Sequence, residues 1–233
     1  MSAVSDIRTM LHMLRGMPRS GDVAARLQEF YAPQADAYDD FRERLLRGRR
    51  ELIDQLDLPE RARIVELGAG TGRNLDHFGA RLTQFESFEL VDLCPALLAE
   101  ARKRAAIRLN VRVVEADATT YRPQTLVDCV IFSYSLTMMP DWRAALDNAM
   151  AMLKPKGQLA VVDFTTSPQQ GWLARTFWRS WFAHDGVHLD QRHTAALRAL
   201  CSQHSFEERW TPIPYLPGLR VPFYLFIGQP LVA

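Results

Sequence analysis

The sequence predicts an α/β fold, a mostly parallel sheet with helices on both faces. Three observations predict it. From residue 62 onward, short apolar runs alternate with helical patterns, which is how parallel βαβ units read in a sequence. The first run leads into Gly68-Ala69-Gly70-Thr71-Gly72, a glycine-rich turn between a strand and a helix. The run at 127–134 is more apolar than the others, as expected of a central strand buried on both faces.

The elements follow in order. Val4, Ile7, Met10, Leu11, Leu14 and Met17 have helical spacing beside Arg8, Arg15 and Arg19. This short basic amphipathic helix suits packing on its own domain or lying on anionic lipid. Residues 22–31 and 34–56 read as helices; Tyr38, Phe41, Leu45, Leu52 and Leu56 supply the apolar face of the second, and Pro59 closes it. Strands are expected at 62–67, 88–93, 111–115, 127–134 and 158–164, with helices at 96–107 and 142–153. Lys154-Pro155-Lys156-Gly157 ends the last helix. Residues 165–191 show no clear periodicity but hold Trp172, Phe177, Trp178, Trp181 and Phe182. A helix at 194–203 and strands at 206–214 and 220–228 finish the chain, the two strands forming an antiparallel pair at the sheet edge. The sheet therefore has seven strands. Residues 1–57 read as N-terminal helices, including a lid, and residues 58–233 as the core, with an aromatic insertion at about 165–192. No linker-like stretch separates them, so one structural domain is expected.

Composition narrows the function. Of 233 residues, 48% are hydrophobic and 24% charged, a globular balance. Lys and Arg number 28 against 27 Asp and Glu, a net charge of +1, and this lacks the basic excess of a nucleic-acid binder. Cys94, Cys129 and Cys201 have no CxxC spacing, which speaks against a zinc site or disulfide framework and for a reducing cytosol. No apolar run approaches the ~18 residues of a membrane span, and no signal-peptide pattern opens the chain.

The chemistry is concentrated after the first three strands. Glycines at 68, 70 and 72 permit positive φ and close approach of backbone to a ligand. A nicotinamide or flavin fingerprint, G-x-G-x-x-G, would have its third glycine where Arg73 stands. The G-x-G-x-G turn, with Glu66 two residues ahead of it, suits a ligand without pyrophosphate and points to S-adenosylmethionine (AdoMet). Asp92, 20 residues after Gly72 at the end of the second strand, is placed to accept from both ribose hydroxyls. Asp117 follows the third strand, placed to accept from an adenine amino group while Ala118 offers its N–H. The expected cofactor-binding set is Glu66, Gly68, Ala69, Gly70, Gly72, Asn74, Asp92, Leu93, Asp117, Ala118 and Ser133.

With ELGAGTG, the acid of LVDL, EADA, and LKPKG before the fifth strand, the chain resembles the class I AdoMet-dependent methyltransferases. This resemblance spans roughly residues 31–228 and implies their Rossmann-like sheet. Three further stretches, YDDFRERLLRGR at 38–49, FSYSLTMMPDW at 132–142 and TFWRSWFAHDGV at 176–187, resemble the methyltransferase of betaine-lipid synthesis. That family converts diacylglyceryl-homoserine to diacylglyceryl-trimethylhomoserine by three N-methylations. The resemblance implies AdoMet as cofactor, a lipid substrate, a cytoplasmic enzyme peripheral to an anionic membrane surface, and a separate enzyme that makes the homoserine lipid.

On that footing Tyr38, in the lid, and Tyr134, at the end of the fourth strand, are expected to orient the amine, with Tyr31 nearby. Arg47 is expected to grip the substrate carboxylate, provided Gly48 breaks the helix and lets it turn inward. His184 is expected as a general base and Asp185 as a substrate contact. His184 and His188 are four apart without a third ligand, so no metal is expected. Trp172 to Phe182, with Arg175 and Arg179, fits either a core or a wall of the acyl-chain entrance. Three alternatives stay open: another amine acceptor, soluble or phosphatidylethanolamine; a non-catalytic AdoMet-binding module; and an NAD-dependent oxidoreductase.

Overall fold

The computed structural model describes residues 16–18, 20–32, 44–213 and 218–231. Tyr38 and all of the 4–17 helix pattern except Met17 lie outside these residues. The helices α1 (Val23–Tyr31) and α2 (Arg49–Asp54) precede the sheet. Then follow β1 (Arg63–Leu67), α3 (Asn74–Phe78), β2 (Ser87–Asp92), α4 (Pro95–Ala105), β3 (Val111–Glu115), β4 (Val127–Ser133), α5 (Trp142–Met152) and β5 (Leu153–Phe164), strands alternating with helices except between β3 and β4. The chain ends with α6 (Trp172–His184), α7 (Gln191–Leu200), β6 (Cys201–Pro212) and β7 (Arg220–Pro230).

The seven strands form one sheet in the order β3-β2-β1-β4-β5-β7-β6. β1 to β5 run parallel, and β7 pairs antiparallel with both β5 and β6. This is the mostly parallel sheet and antiparallel edge pair that the sequence predicts. Strand alternation divides the core into two layers. Ile64, Phe88, Ile131, Val162 and Phe223 face one way, under α2, α3, α4 and α6 through Leu52, Leu75, Leu98 and Trp178. Val65, Val91, Val130, Val161 and Tyr224 face the other, under α5 and α7 through Leu146 and Leu197. The order reverses at β1: β2 lies on one side of it and β4 on the other. Open α/β sheets bind ligands beyond the carboxyl ends of the strands at such a point.

The sequence reading needs three corrections. Residues 165–191 are not irregular, because α6 occupies Trp172–His184. Its aromatics lie on a buried side (Trp178, Phe182) and on an exposed one (Trp172, Phe177, Trp181), so no single apolar stripe marks the helix. The single helix expected over 34–56 is broken by Gly48, whose φ of 85° is left-handed, and α2 starts only after it. A Cβ at Gly48 would lie 2.6 Å from the Phe223 ring, so both the conformation and the contact require glycine. Finally, residues 153–157 continue β5 rather than close a helix, because Leu153 pairs with Val127 across an irregularity in the β4–β5 register.

Candidate active site

A cavity of about 390 Å³ opens beyond the carboxyl ends of β1, β2 and β4. Its floor is the glycine turn. Gly68, Gly70 and Gly72 all have positive φ. Two of them are required by packing: a Cβ at Gly68 would meet Ser135 Cβ at 2.4 Å, and one at Gly72 would meet Leu90 Cδ1 at 2.8 Å. Nothing lies closer than 3.8 Å to a Cβ built on Gly70, so that glycine keeps the space open. The Gly68 and Ala69 N–H groups donate to the Val91 carbonyl at 2.8 and 3.0 Å and tie the turn to β2.

Asp92 completes this tie. One of its carboxylate oxygens accepts from the Gly70 N–H at 2.8 Å and the other from the Cys94 N–H at 2.8 Å. Burial raises its pKa, and these backbone donors oppose the rise. Each oxygen keeps a second lone pair for a ligand. Glu66 is buried on the same wall, where its Oε1 accepts from Asn74 Nδ2 at 2.8 Å. Glu66 Oε2 and Asn74 Oδ1 are both buried without a hydrogen-bond partner. Burial pushes the Glu66 carboxyl up to about 8, with Asn74 and the Arg49 charge pulling against it. Orphaned buried acceptors are rare in folded chains, and two facing one cavity call for a donor-bearing ligand.

The other wall follows β4. The buried Ser133 hydroxyl has no partner. Tyr134 has a φ of 55°, unusual for a side chain of its size. Its N–H donates to the Val162 carbonyl at 2.8 Å, and its ring packs 4.7 Å from Phe164. Its hydroxyl donates to the Arg47 carbonyl at 2.6 Å, so that proton is already committed. Burial raises the Tyr134 phenol well above its ordinary value, and the proton stays on. Thr137 hangs on the buried Asp163, donating its N–H at 3.0 Å and its hydroxyl at 2.7 Å. This fixes the short turn that brings Met138 and Met139 to the cavity. α1 closes the top with Val23, Leu27 and Tyr31, and the Tyr31 hydroxyl donates to the Met138 sulfur at 3.3 Å.

All of the expected cofactor residues except Gly72 line this cavity; Gly72 sits behind the turn. Asp117 is partly engaged, since its Oδ1 accepts from the Thr119 N–H and hydroxyl at 2.8 and 2.7 Å. The substrate residues are distributed differently. Arg47 is exposed, with Nε donating to the Arg44 carbonyl at 3.2 Å, and Gly48 turns the buried Arg49 into the cavity in its place. His184 is exposed at the end of α6, where its carbonyl accepts from the Met17 N–H at 2.9 Å; neither it nor Asp185 lines the cavity, because α6 presents Trp178 and Phe182 inward. No histidine lines the cavity among the described residues. The sequence reading did not single out Arg49, Asp163 or Met138. Gly48 beside Arg49 is the one readable signal, and the sequence reading gives it to Arg47.

A second cleft of about 310 Å³ adjoins the first. Arg47, Arg49, Arg50 and Arg73 line it, and Leu46, Arg49 and Arg73 belong to both walls. Its acids are Glu51 and Asp76, the latter paired with Arg73, Arg104 and Arg108 at 3.0–3.2 Å; against four lining arginines they leave the cleft net positive. Among the described residues no group of three or more His, Cys, Asp or Glu is arranged to hold a metal.

The methyltransferase domain family matches residues 35–208, well over half of the chain. The chain belongs to this methyltransferase family. The methyltransferase domain is 32% identical over 126 residues to demethylmenaquinone methyltransferase of Thermus thermophilus, a match covering 53% of this chain and 57% of that protein. It is 31% identical over 127 residues to trans-aconitate 2-methyltransferase of Variovorax paradoxus, covering 53% and 47%. The chain thus spans about half the length of the curated relatives it matches. Among solved structures, phosphoethanolamine N-methyltransferase 2 of Haemonchus contortus, in complex with phosphomonomethylethanolamine and S-adenosylhomocysteine, superposes with a TM-score of 0.69 at 12% identity. That match covers 92% of this chain and 61% of that one. At this identity the likeness is one of fold.

Proposed function

We propose that this methyltransferase-family chain transfers methyl groups from AdoMet to the amine of diacylglyceryl-homoserine, up to three times, to give diacylglyceryl-trimethylhomoserine. The observation that carries this reading is the arginine-lined cleft sharing Arg49 with the glycine-turn cavity: it offers an anion site next to a methyl-donor site. The resemblance at 38–49, 132–142 and 176–187 supplies the acceptor.

The residues suit AdoMet. Asp92 presents acceptors to two ribose hydroxyls, Gly70 leaves room for the backbone-hugging amino-acid end, and the orphaned Glu66 Oε2 and Asn74 Oδ1 accept from its ammonium. Bound AdoMet supplies an electrophilic methyl on a positively charged sulfur. The chain would align the unprotonated acceptor nitrogen with that methyl, the nitrogen–methyl bond forming as the methyl–sulfur bond breaks and S-adenosylhomocysteine leaves. The proton each ammonium must lose before attack goes to solvent, and orientation is most of what such a transfer needs. Arg49 and Arg47 hold the acceptor carboxylate, the one headgroup feature that does not change as N–H groups are replaced by methyls. The Tyr134 oxygen, still an acceptor, receives an N–H of the amine, and its ring faces the growing positive charge.

Glu66 makes cofactor binding proton-linked. Its pKa of about 8 leaves it mostly neutral at pH 7 in the free protein, and a bound ammonium favours the charged form. Binding of S-adenosylhomocysteine at pH 7 therefore releases part of a proton, and affinity rises as pH approaches 8. Calorimetry in two buffers of different ionisation heat should detect the release in the wild type and not in Glu66→Gln. Tyr134→Phe removes the tie to the Arg47 carbonyl. The acceptor KM should rise roughly two- to tenfold, in line with a net ~0.5–1.5 kcal/mol hydrogen bond, while calorimetric affinity for S-adenosylhomocysteine holds.

The decisive test is mass spectrometry of lipids from cells making this chain, with and without a source of diacylglyceryl-homoserine, which a separate enzyme would supply. Mono-, di- and trimethylated lipid should appear only with both. A second reading is favoured by the relatives named for trans-aconitate: the same arginines suit a small soluble acid. Methylation of trans-aconitate with no methylated lipid would select it.

A further inference from the structure

We propose that the outward face of α6 docks on an anionic lipid surface and delivers the acceptor to the cavity behind it. The proposal deepens the reading above, which makes the acceptor a lipid. Leu173, Phe177 and Trp181 are spaced four residues apart and line one edge of the helix, with Trp172 beside them at its start. Their exposures are 66%, 44%, 43% and 69%, although Trp, Phe and Leu are the residues a lone soluble helix would be expected to bury. The buried edge, Trp178 and Phe182, anchors α6 to the domain, and Phe177 meets that edge at Trp178 while leaving its outer side exposed.

Charge selects the occupant. No acidic side chain stands between Asp163 and Asp185, whereas Arg175 and Arg179 lie on α6. Arg179 is exposed two turns along from Trp172 and flanks the outer face on that side, while Arg175 is half-buried behind it. Both lie across the helix from Leu173, Phe177 and Trp181, within about one helix diameter, which is close to the Debye length of ~8–10 Å. Apolar burial together with cationic attraction is the binding mode of interfacial helices, and Trp favours the headgroup level. No helix among the described residues is long and apolar enough to cross a membrane. The opposite, buried edge of the same helix abuts the wall of the site. Phe182 packs 4.8 Å from Phe164, and Phe164 packs 4.7 Å from Tyr134, which lines the cavity.

The test is cosedimentation of the full chain with phosphatidylcholine vesicles, with and without phosphatidylglycerol. The wild type should pellet with the anionic vesicles, with a blue shift of tryptophan emission. Leu173→Ser, Phe177→Ser and Trp181→Ser together should weaken that partition by about tenfold or more. All three side chains are exposed, so circular dichroism of this variant should match the wild type. Arg175→Glu with Arg179→Glu should lower binding to anionic vesicles and leave binding to neutral ones unchanged. A wild type that stays in the supernatant, or a triple variant that binds like it, overturns the proposal. So does a wild-type dimer in light scattering that the triple variant dissolves, which would make the face a protein contact. Vesicle binding without methylated homoserine lipid would uphold the docking face and reject the acceptor reading.

Discussion

Asp92→Ala should weaken binding of S-adenosylhomocysteine more than truncation of any other side chain in the cavity wall, by about 2–3 kcal/mol, or roughly 30- to 150-fold. Two losses add. The ribose hydroxyls lose a charge-assisted acceptor, and the N–H groups of Gly70 and Cys94 lose the carboxylate that holds them at 2.8 Å. Asp92→Asn separates the two. It keeps one oxygen and replaces the other with a donor, so it should fall between wild type and alanine in affinity. Calorimetry gives the affinities, and thermal melting without ligand gives the cost to the turn alone. Unchanged affinity in a folded Asp92→Ala protein would remove the ribose assignment.

Arg49→Met is expected to have the second largest effect, and it divides between two ligands. The swap keeps an unbranched apolar stem but removes the guanidinium shared by both cavity walls. A charge-assisted grip of ~1.5–3 kcal/mol lost from the acceptor anion should raise its KM roughly tenfold to 150-fold. The same charge pulls the Glu66 pKa down, so its removal should push that carboxyl above about 8 and weaken cofactor binding at pH 7. Arg49→Lys restores the point charge but not the two-pronged geometry. It should recover cofactor affinity while leaving the acceptor KM high. Recovery of both by lysine would show that Arg49 acts through charge alone. An unchanged KM in Arg49→Met would move the anion site elsewhere.

The lipid substrate rests on the arginine grip and the docking face builds on both, but each has its own readout. The sheet and the cofactor turn, by contrast, are legible in the amino-acid sequence. The alternating apolar runs place five parallel strands and an antiparallel pair, because strand patterning is local and repeats every two residues. The glycines of the turn are legible as well. Their spacing is a property of one short segment, and positive φ at Gly68, Gly70 and Gly72 follows from it. Asp92, Asp117 and Ser133 can be placed on the cavity because each ends a strand or follows one, and parallel strands end together.

Residues whose direction depends on a distant contact cannot be read this way. Gly48 signals a break, but whether Arg47 or Arg49 turns inward is decided by β7, whose Phe223 ring packs against that glycine. Tyr134 stands at the expected place, yet its hydroxyl proton goes to a carbonyl 87 residues earlier in the chain. His184 and Asp185 lie in a suggestive motif, but the packing of Trp178 and Phe182 faces them away from the cavity. The amino-acid sequence by itself determined the sheet, the glycine turn and the acids around it, because these follow from local periodicity and backbone freedom. Only the tertiary structure decided which arginine enters the site, what the tyrosine hydroxyl holds and which aromatics stay exposed, because each is settled by side chains that meet across the fold and are far apart in sequence.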